Sequence, residues 1–433
     1  MNQFGLGLGL TRARRRVTAA AALDSAPRTL VAIGDSITFQ NHGVAARNEM
    51  YGYLVMMNAM MGQRVKFDFV ENKGVSGDST AQMVARLSSL NGLGGHICAV
   101  LGGTNDVSTV SLGGAGAALV SYTNNIITSV QNNLQTIYTY INNTLNIPVM
   151  AFVVAPRSFW GSATAEQITQ GKRAIQEINT WIRNKASAQI WVVDYYPDWN
   201  NGSDEPKVNY TYDGLHPNHI GAYWMGFRAY DVLRARYTLN AFSLSPQNRF
   251  TNTDMSGTGG TVSGSFFTGV LATNWQTSGS GGASANATLS KDTDGKQIMT
   301  LTANTAMTLT RRIFQRHTAA DLVGKTAYFE IEVSVLQENT GTGIWYNLSA
   351  ELRNTAELSI GFDRRNTTDV GPWAEMKSFT QNTGRRFILR SPTMTVPAGT
   401  TYLDGRLNAE MVTTTGQTVN GQIKIHNAQL VVV

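Results

Sequence analysis

Four short stretches of the chain carry side chains that could do covalent chemistry together. The first is Gly34-Asp35-Ser36, where the apolar run Leu30-Val31-Ala32-Ile33 stops and presents a serine. The second is the glycine-rich Asn72-Lys73-Gly74-Val75-Ser76-Gly77-Asp78-Ser79, the third Gly102-Gly103-Thr104-Asn105-Asp106, and the fourth Asp213-Gly214-Leu215-His216-Pro217. A serine becomes a nucleophile when a base takes its proton, a third group orients that base, and fixed donors meet the oxyanion. Ser36 is the candidate nucleophile and His216 the candidate general base. Asp213, three residues earlier on a turn, can orient the imidazole. The backbone N–H groups of Ser36 and Gly77 and the side-chain amide of Asn105 are candidate oxyanion donors. Glycine at 77 permits close backbone approach.

Each residue also has a plainer reading. Ser36 could cap a helix, Asn105 and Asp106 could form a turn, and Asp213-x-x-His216 could cap the last helix. Taken jointly, in order and each behind a strand, the four stretches favour the chemical reading. His219 could compete as the base, but falls inside the last predicted helix. His42 follows Ser36 closely, as a surface-loop residue or a pocket lining. His96, His317 and His426 show no metal-ligand spacing, so no metal site and no cofactor is expected. The G-x-S-x-G elbow of another hydrolase fold is absent.

The elements that must position these residues alternate. Apolar runs at 29–33, 65–70, 97–101, 148–154 and 190–193 read as strands, and 49–61, 80–90, 119–145, 165–186 and 219–237 as helices. Ser79 or Thr80 is available to cap the second helix, and Ile126, Val130, Leu134, Ile137 and Ile141 recur at helical spacing in the third. Near-continuous apolar strands separated by helices predict a parallel sheet covered on both faces. The crevice beyond the carboxyl ends of such strands is where sites are built. That topology puts all four stretches on one sheet edge.

Ser36, Gly77, Asn105 and His216, in that order, resemble the four signature blocks of the SGNH (GDSL-type) hydrolase family. The resemblance covers about residues 28–238. It implies a flavodoxin-like three-layer α/β/α fold and hydrolysis of esters or thioesters, including acyl groups on sugars. It also implies a triad of Ser36, Asp213 and His216 and an oxyanion hole of Ser36, Gly77 and Asn105.

Composition bounds the rest. The 433 residues suffice for two or three domains. The net charge of +6 is concentrated in Arg12, Arg14, Arg15 and Arg16, which leaves no basic face expected on the folded body and argues against a nucleic-acid partner. The single cysteine, Cys98, lies in an apolar run and excludes an internal disulfide. No run has the length of a membrane span. The first 27 residues read as a flexible attachment segment rather than a secretory signal, because the arginines follow the short apolar stretch. Asn142-Asn143-Thr144 is formally a glycosylation sequon.

After Tyr237 the pattern changes. Short β-type runs alternate with Gly, Ser, Thr and Asn clusters, which reads as an all-β sandwich over residues 248–433, joined by a linker at 239–247. The stretch Met255-Ser256-Gly257-Thr258-Gly259-Gly260-Thr261-Val262-Ser263-Gly264, with Asn274-Trp275, resembles jelly-roll carbohydrate-binding-type modules. So does the closing Gly421-Gln422-Ile423-Lys424-Ile425-His426-Asn427-Ala428-Gln429-Leu430. Such modules are attached to viral tail proteins and secreted glycan enzymes. Trp275, Trp345, Tyr346 and Trp373 could stack on sugars, although sandwich aromatics are more often core.

The expectation is a serine esterase that removes O-acyl groups, foremost O-acetyl, from a polysaccharide. A phage tail or tailspike enzyme on the virion, or another extracellular protein, acting on bacterial surface glycan fits the architecture. Its partners would be the acylated glycan and neighbouring tail proteins, with no nucleic acid and no membrane, in an assembly of a kind that is often trimeric. The rivals are a lipase, lysophospholipase or thioesterase of the same family, and a catalytically inert glycan-binding tail protein.

Overall fold

The computed structural model describes residues 26, 28–41, 52–67, 70–208, 210–263, 265–280, 286–303, 307–337, 344–354, 359–361, 386–391, 393–413 and 418–433. The attachment segment (Ala26 excepted), His42 and Trp373 lie outside these residues, as do the side chains of Trp345 and Tyr346.

The chain begins with β1 (Arg28–Gly34), α1 (Ser36–Phe39), α2 (Tyr53–Met60), β2 (Val65–Lys66), β3 (Asn72–Gly74) and α3 (Thr80–Ala85). It continues through β4 (Ile97–Leu101), α4 (Thr104–Ser108), α5 (Gly116–Asn143), β5 (Val149–Phe152) and α6 (Ala165–Arg183). β6 (Ile190–Val193), α7 (Tyr196–Trp199) and α8 (His219–Arg234) complete the α/β domain. The strands pair in parallel in the order β2-β1-β4-β5-β6, with β3 also on β1. This is the flavodoxin-like order, with a topological switch between β1 and β4.

The central strands are buried on both faces. Leu30, Ile33, Ile97, Val100, Val149 and Phe152 are at most 1 % exposed, and withdrawing each such side chain from water contributes roughly 1.5–3 kcal/mol. Among the helices, α2 packs with α8, while α5 packs with α3 and α6. The buried residues of α5 follow the helical spacing of one face: Leu119, Ile126, Val130, Leu134, Ile137 and Ile141. Cys98 is buried in β4.

Two departures from the sequence reading matter for the site. The run at 65–70 does not form one strand: the paired segments are β2 and β3, and β3 falls in the stretch assigned to a loop. Backbone pairing to Ala32, Ile33 and Gly34 holds β3, which needs no apolar side chains. The helix expected over 80–90 ends at Ala85 and gives way to a tighter 3-10 turn at Leu87–Leu90. Its start is fixed by a capping box in which Ser79 and Gln82 each satisfy the other's backbone amide.

Among the described residues after about 250, the regular elements are strands. They are β7 (Gly259–Thr261), β8 (Phe267–Gly269), β9 (Leu271–Ser280), β10 (Asn286–Lys291), β11 (Gln297–Ala303), β12 (Met307–Thr318) and β13 (Thr326–Gln337). β14 (Ile344–Asn354), β15 (Ser359–Gly361), β16 (Phe387–Arg390), β17 (Met394–Thr395), β18 (Tyr402–Thr413) and β19 (Val419–Val432) follow. One sheet runs β16-β13-β19-β11-β10-β8 and the other β15-β14-β18-β12-β9-β7, with mostly antiparallel pairing. Phe250 joins them, its ring 5.8 Å from Trp275 of β9 and 5.9 Å from Phe329 of β13. Trp275 is thus a core residue, fully buried with its indole N–H donated to Asn252 O at 3.0 Å, and cannot stack on a sugar. The α/β domain meets this region where Gln63 donates to Ile388 O at 2.8 Å.

Candidate active site

The turn after β1 is built so that Ser36 projects from a strand end. Gly34 is obligatory, since a Cβ there would lie 2.6 Å from Leu101 O. Asp35, not Ser36, caps the helix: its Oδ1 accepts the Ile37 N–H at 2.9 Å. Ser36 is therefore the first residue of α1, and its N–H belongs to the first turn, where a helix leaves its amides without intrahelical partners. The other carboxylate oxygen of Asp35 is buried without a partner. Burial raises the Asp35 carboxyl to about 7, against the Ile37 hydrogen bond, with Asp106 and Asp78 adding to the rise.

His216 and Asp213 sit on one small loop, closed by pairing between Thr211 and Pro217. Tyr212 N–H donates to His216 O at 2.9 Å across it. The amides of Leu215 and His216 donate to Asp213 Oδ1 at 3.0 and 2.8 Å. Asp213 Oδ2 lies 2.7 Å from His216 Nδ1, and His216 Nε2 lies 2.9 Å from Ser36 Oγ. With Asp213 accepting the Nδ1 proton, Nε2 is left as the acceptor toward the serine hydroxyl. For Asp213, burial works to raise the pKa, but hydrogen bonds from the His216 side chain, its amide and the Leu215 amide outweigh it. They hold the carboxylate below its ordinary range.

The other candidate oxyanion donors stand after two further strands. After β3, Asp78 N–H closes a turn onto Val75 O at 3.2 Å, and Gly77 takes φ +86°, a conformation that favours glycine. After β4, Asn105 Nδ2 donates to Asp78 O at 2.9 Å, which ties the third stretch to the second and leaves its other amide hydrogen for a ligand. The predicted site residues thus lie beyond the carboxyl ends of the strands of one sheet, Ser36 and Asn105 in the first turns of the short helices α1 and α4 and Gly77, Asp213 and His216 on loops. His219 is the first residue of α8, and Ser36 is paired with His216 instead. His96 is spent on the Thr29 N–H, 3.1 Å from its Nδ1.

Sequence reasoning missed the groups that lock these loops together. Asp106 accepts both the amide and the hydroxyl of Thr80, at 2.9 and 2.8 Å. Arg157 is 2 % exposed and donates to Thr104 O at 2.9 Å and Phe159 O at 2.8 Å. Burial lowers its pKa to about 10, with Asp213 and Asp35 opposing the shift. The amides of Ser158 and Phe159 in turn hold Gly214 O, so Arg157 links the Asn105 loop to the His216 loop. Its position just beyond the apolar run at 148–154 was the available signal, because that run ends at the same sheet edge.

The oxyanion hole expected from Ser36 N–H, Gly77 N–H and Asn105 makes one outcome calculable. Asn105→Ala should lower kcat for a small aryl ester by about 10²- to 10³-fold, with KM little changed. Steady-state kinetics showing an unaltered kcat would remove Asn105 from the pocket.

A serine whose proton can pass to a carboxylate-anchored imidazole is the equipment of an acyl-transfer hydrolase. Residues 32–223 match the model of the GDSL-like Lipase/Acylhydrolase family. The match spans most of the α/β domain and includes all five site residues, which supports acylhydrolase chemistry for this part of the chain. No curated protein matches the chain. Among solved structures, a GDSL-like lipase from Bacteroides thetaiotaomicron is 19% identical, covering 48% of this chain and 86% of its own, with a TM-score of 0.33. The lipase Lip_vut3 from a goat rumen metagenome is 17% identical, over 49% of this chain and 98% of its own, with a TM-score of 0.36. An acetyl xylan esterase, AlAXEase, is 17% identical, over 47% of this chain and 98% of its own, with a TM-score of 0.34.

Proposed function

We propose that the protein is a serine esterase that removes O-acyl groups, foremost O-acetyl, from a bacterial surface polysaccharide, as part of a phage tail. The observation that carries the esterase reading is the unbroken relay from Ser36 Oγ through His216 to Asp213, at 2.9 and 2.7 Å. In this mechanism Ser36 attacks the acyl carbonyl while Nε2 takes its proton. The oxyanion gathers the N–H groups of Ser36 and Gly77 and the Asn105 amide. As the bond to the sugar breaks, the His216 imidazolium gives its proton to the departing sugar oxygen, and water, activated by the same imidazole, then releases the acid and restores Ser36.

The polysaccharide and tail readings are supported by the two-sheet β region and by its resemblance to modules attached to glycan enzymes and tail proteins. A second reading, a lipase-like acylhydrolase, is favoured by Phe159, which is 53% exposed beside the loop that carries Gly214. The test is acetate release from intact bacterial surface polysaccharide by wild type and Ser36→Ala. Release by wild type alone is the expected result. Equal release by both removes the Ser36 mechanism. Cleavage of octanoyl aryl esters in preference to acetyl ones, with no acetate freed from glycan, replaces the polysaccharide reading by the lipase-like one.

A further inference from the structure

Arg86 stands just after α3 and touches none of the reacting groups. Its guanidinium is nevertheless spent on three acceptors from three parts of the site. Nε donates to Asp78 Oδ2 at 2.5 Å, Nη1 to Lys73 O at 2.5 Å and Nη2 to Gly34 O at 2.7 Å. Gly34 O ends β1, two residues before Ser36, and also accepts the Val75 N–H at 3.0 Å. Lys73 O lies in β3, at the entry to the Gly77 turn. Asp78 leaves that turn, and its carbonyl holds Asn105.

We infer that Arg86 is the positioning residue of the oxyanion pocket. It fixes the Ser36 strand end, the Gly77 turn and the Asn105 amide relative to one another, an inference that rests on the Ser36 mechanism proposed above. Donors aimed at a developing oxyanion lower the barrier only if they are in place before it forms. The guanidinium spreads its donors over three nitrogens in one rigid plane, whereas the three donors of a lysine radiate from a single nitrogen and cannot span the same acceptors. Without the fork, two carbonyls lose donors and the Asp78 carboxylate, 9% exposed, loses its counter-charge. The Gly77 turn is then free to drift from Ser36.

The experiment uses the full chain as wild type, Arg86→Lys, Arg86→Met and Asp78→Asn, with 4-nitrophenyl acetate as substrate. Reactive Ser36 is counted by titration with an aryl phosphonate, so that kcat is expressed per competent site. Affinity for an arylboronic acid, which forms a tetrahedral adduct on the serine, reads the oxyanion pocket directly. Both Arg86 variants should lose about 10- to 100-fold in kcat per titrated site, with KM within about threefold and boronate affinity falling in parallel. Asp78→Asn, which keeps the shape and weakens one arm, should lose about 3- to 10-fold in the same direction. Fewer titratable sites, each with wild-type turnover and boronate affinity, would mean that Arg86 only helps the chain fold, and would overturn the inference. If Arg86→Met yields no folded protein, an unchanged kcat in Asp78→Asn overturns it equally. If Ser36→Ala hydrolyses the ester at the wild-type rate, the Ser36 mechanism itself has failed.

Discussion

Replacing Ser36 by alanine is expected to lower kcat for a small aryl ester by about 10⁵- to 10⁶-fold, and replacing His216 by alanine by a similar factor. The double variant should be no worse than either single one. The reason is geometric: Ser36 Oγ and His216 Nε2 share one hydrogen bond of 2.9 Å, and each is useless without the other. A hydroxyl with no base nearby stays protonated, and a base with no hydroxyl has nothing to activate. What remains in all three variants is stabilisation by the amide donors, worth about 10³-fold over water. Measuring kcat for the two singles and the double closes the cycle. Losses that multiply would show that the two residues act independently and that the relay is not the catalytic unit.

The second large effect belongs to Asp213→Asn. The asparagine fits the same space but can present an amide N–H to Nδ1, which favours the tautomer with its proton on Nε2, facing Ser36. A proton there blocks transfer from the serine. The expected loss is about 10²- to 10⁴-fold in kcat with KM little changed, below the upper limit because half of the Asp213 side chain faces water. A stability signature accompanies it. The folded-state pKa of Asp213 lies below its ordinary value, so the unfolded chain takes up the proton first as pH falls. This carboxylate therefore contributes stability that is complete above its unfolded pKa, near 3.8, and is lost as pH drops through the lower folded value. Denaturant titrations of Asp213→Asn between about pH 2 and 5 should show a shallower dependence on pH than wild type. A kcat within about threefold of wild type would leave Asp213 without an orienting role.

The four stretches of the candidate site were legible because each is polar and glycine-rich punctuation behind an apolar strand, a contrast that survives in one dimension. The longer helices of the α/β domain were legible for a similar reason, since burial of one face writes its period into α5; α1, α4 and α7, each of only one turn or so, are too short to carry a period. β3 was not. Asn72, Lys73 and Gly74 have little intrinsic preference for a strand, and only β1 lying beside them makes them one. Arg86 and Arg157 were invisible for a related reason: five of their six hydrogen-bonding and ring partners, Lys73 O, Gly34 O, Thr104 O, Phe159 O and the Trp160 ring, carry no charge to flag them. Trp275 invited a binding role as an aromatic in a sandwich, and the facing sheet decided otherwise.

The catalytic hydrogen bonds differ in how far apart their partners lie along the chain. Asp213 and His216 are three residues apart, on a loop with its own closing contacts, whereas Ser36 and His216 are separated by 180 residues. The acid–base half is a local structure, and the nucleophile joins it only when β1, β4, β5 and β6 are all in register. Ester cleavage is consequently a property of the completed sheet: the hydrogen bond from Ser36 to His216 joins the end of β1 to a loop that follows β6, so it exists only in the assembled domain.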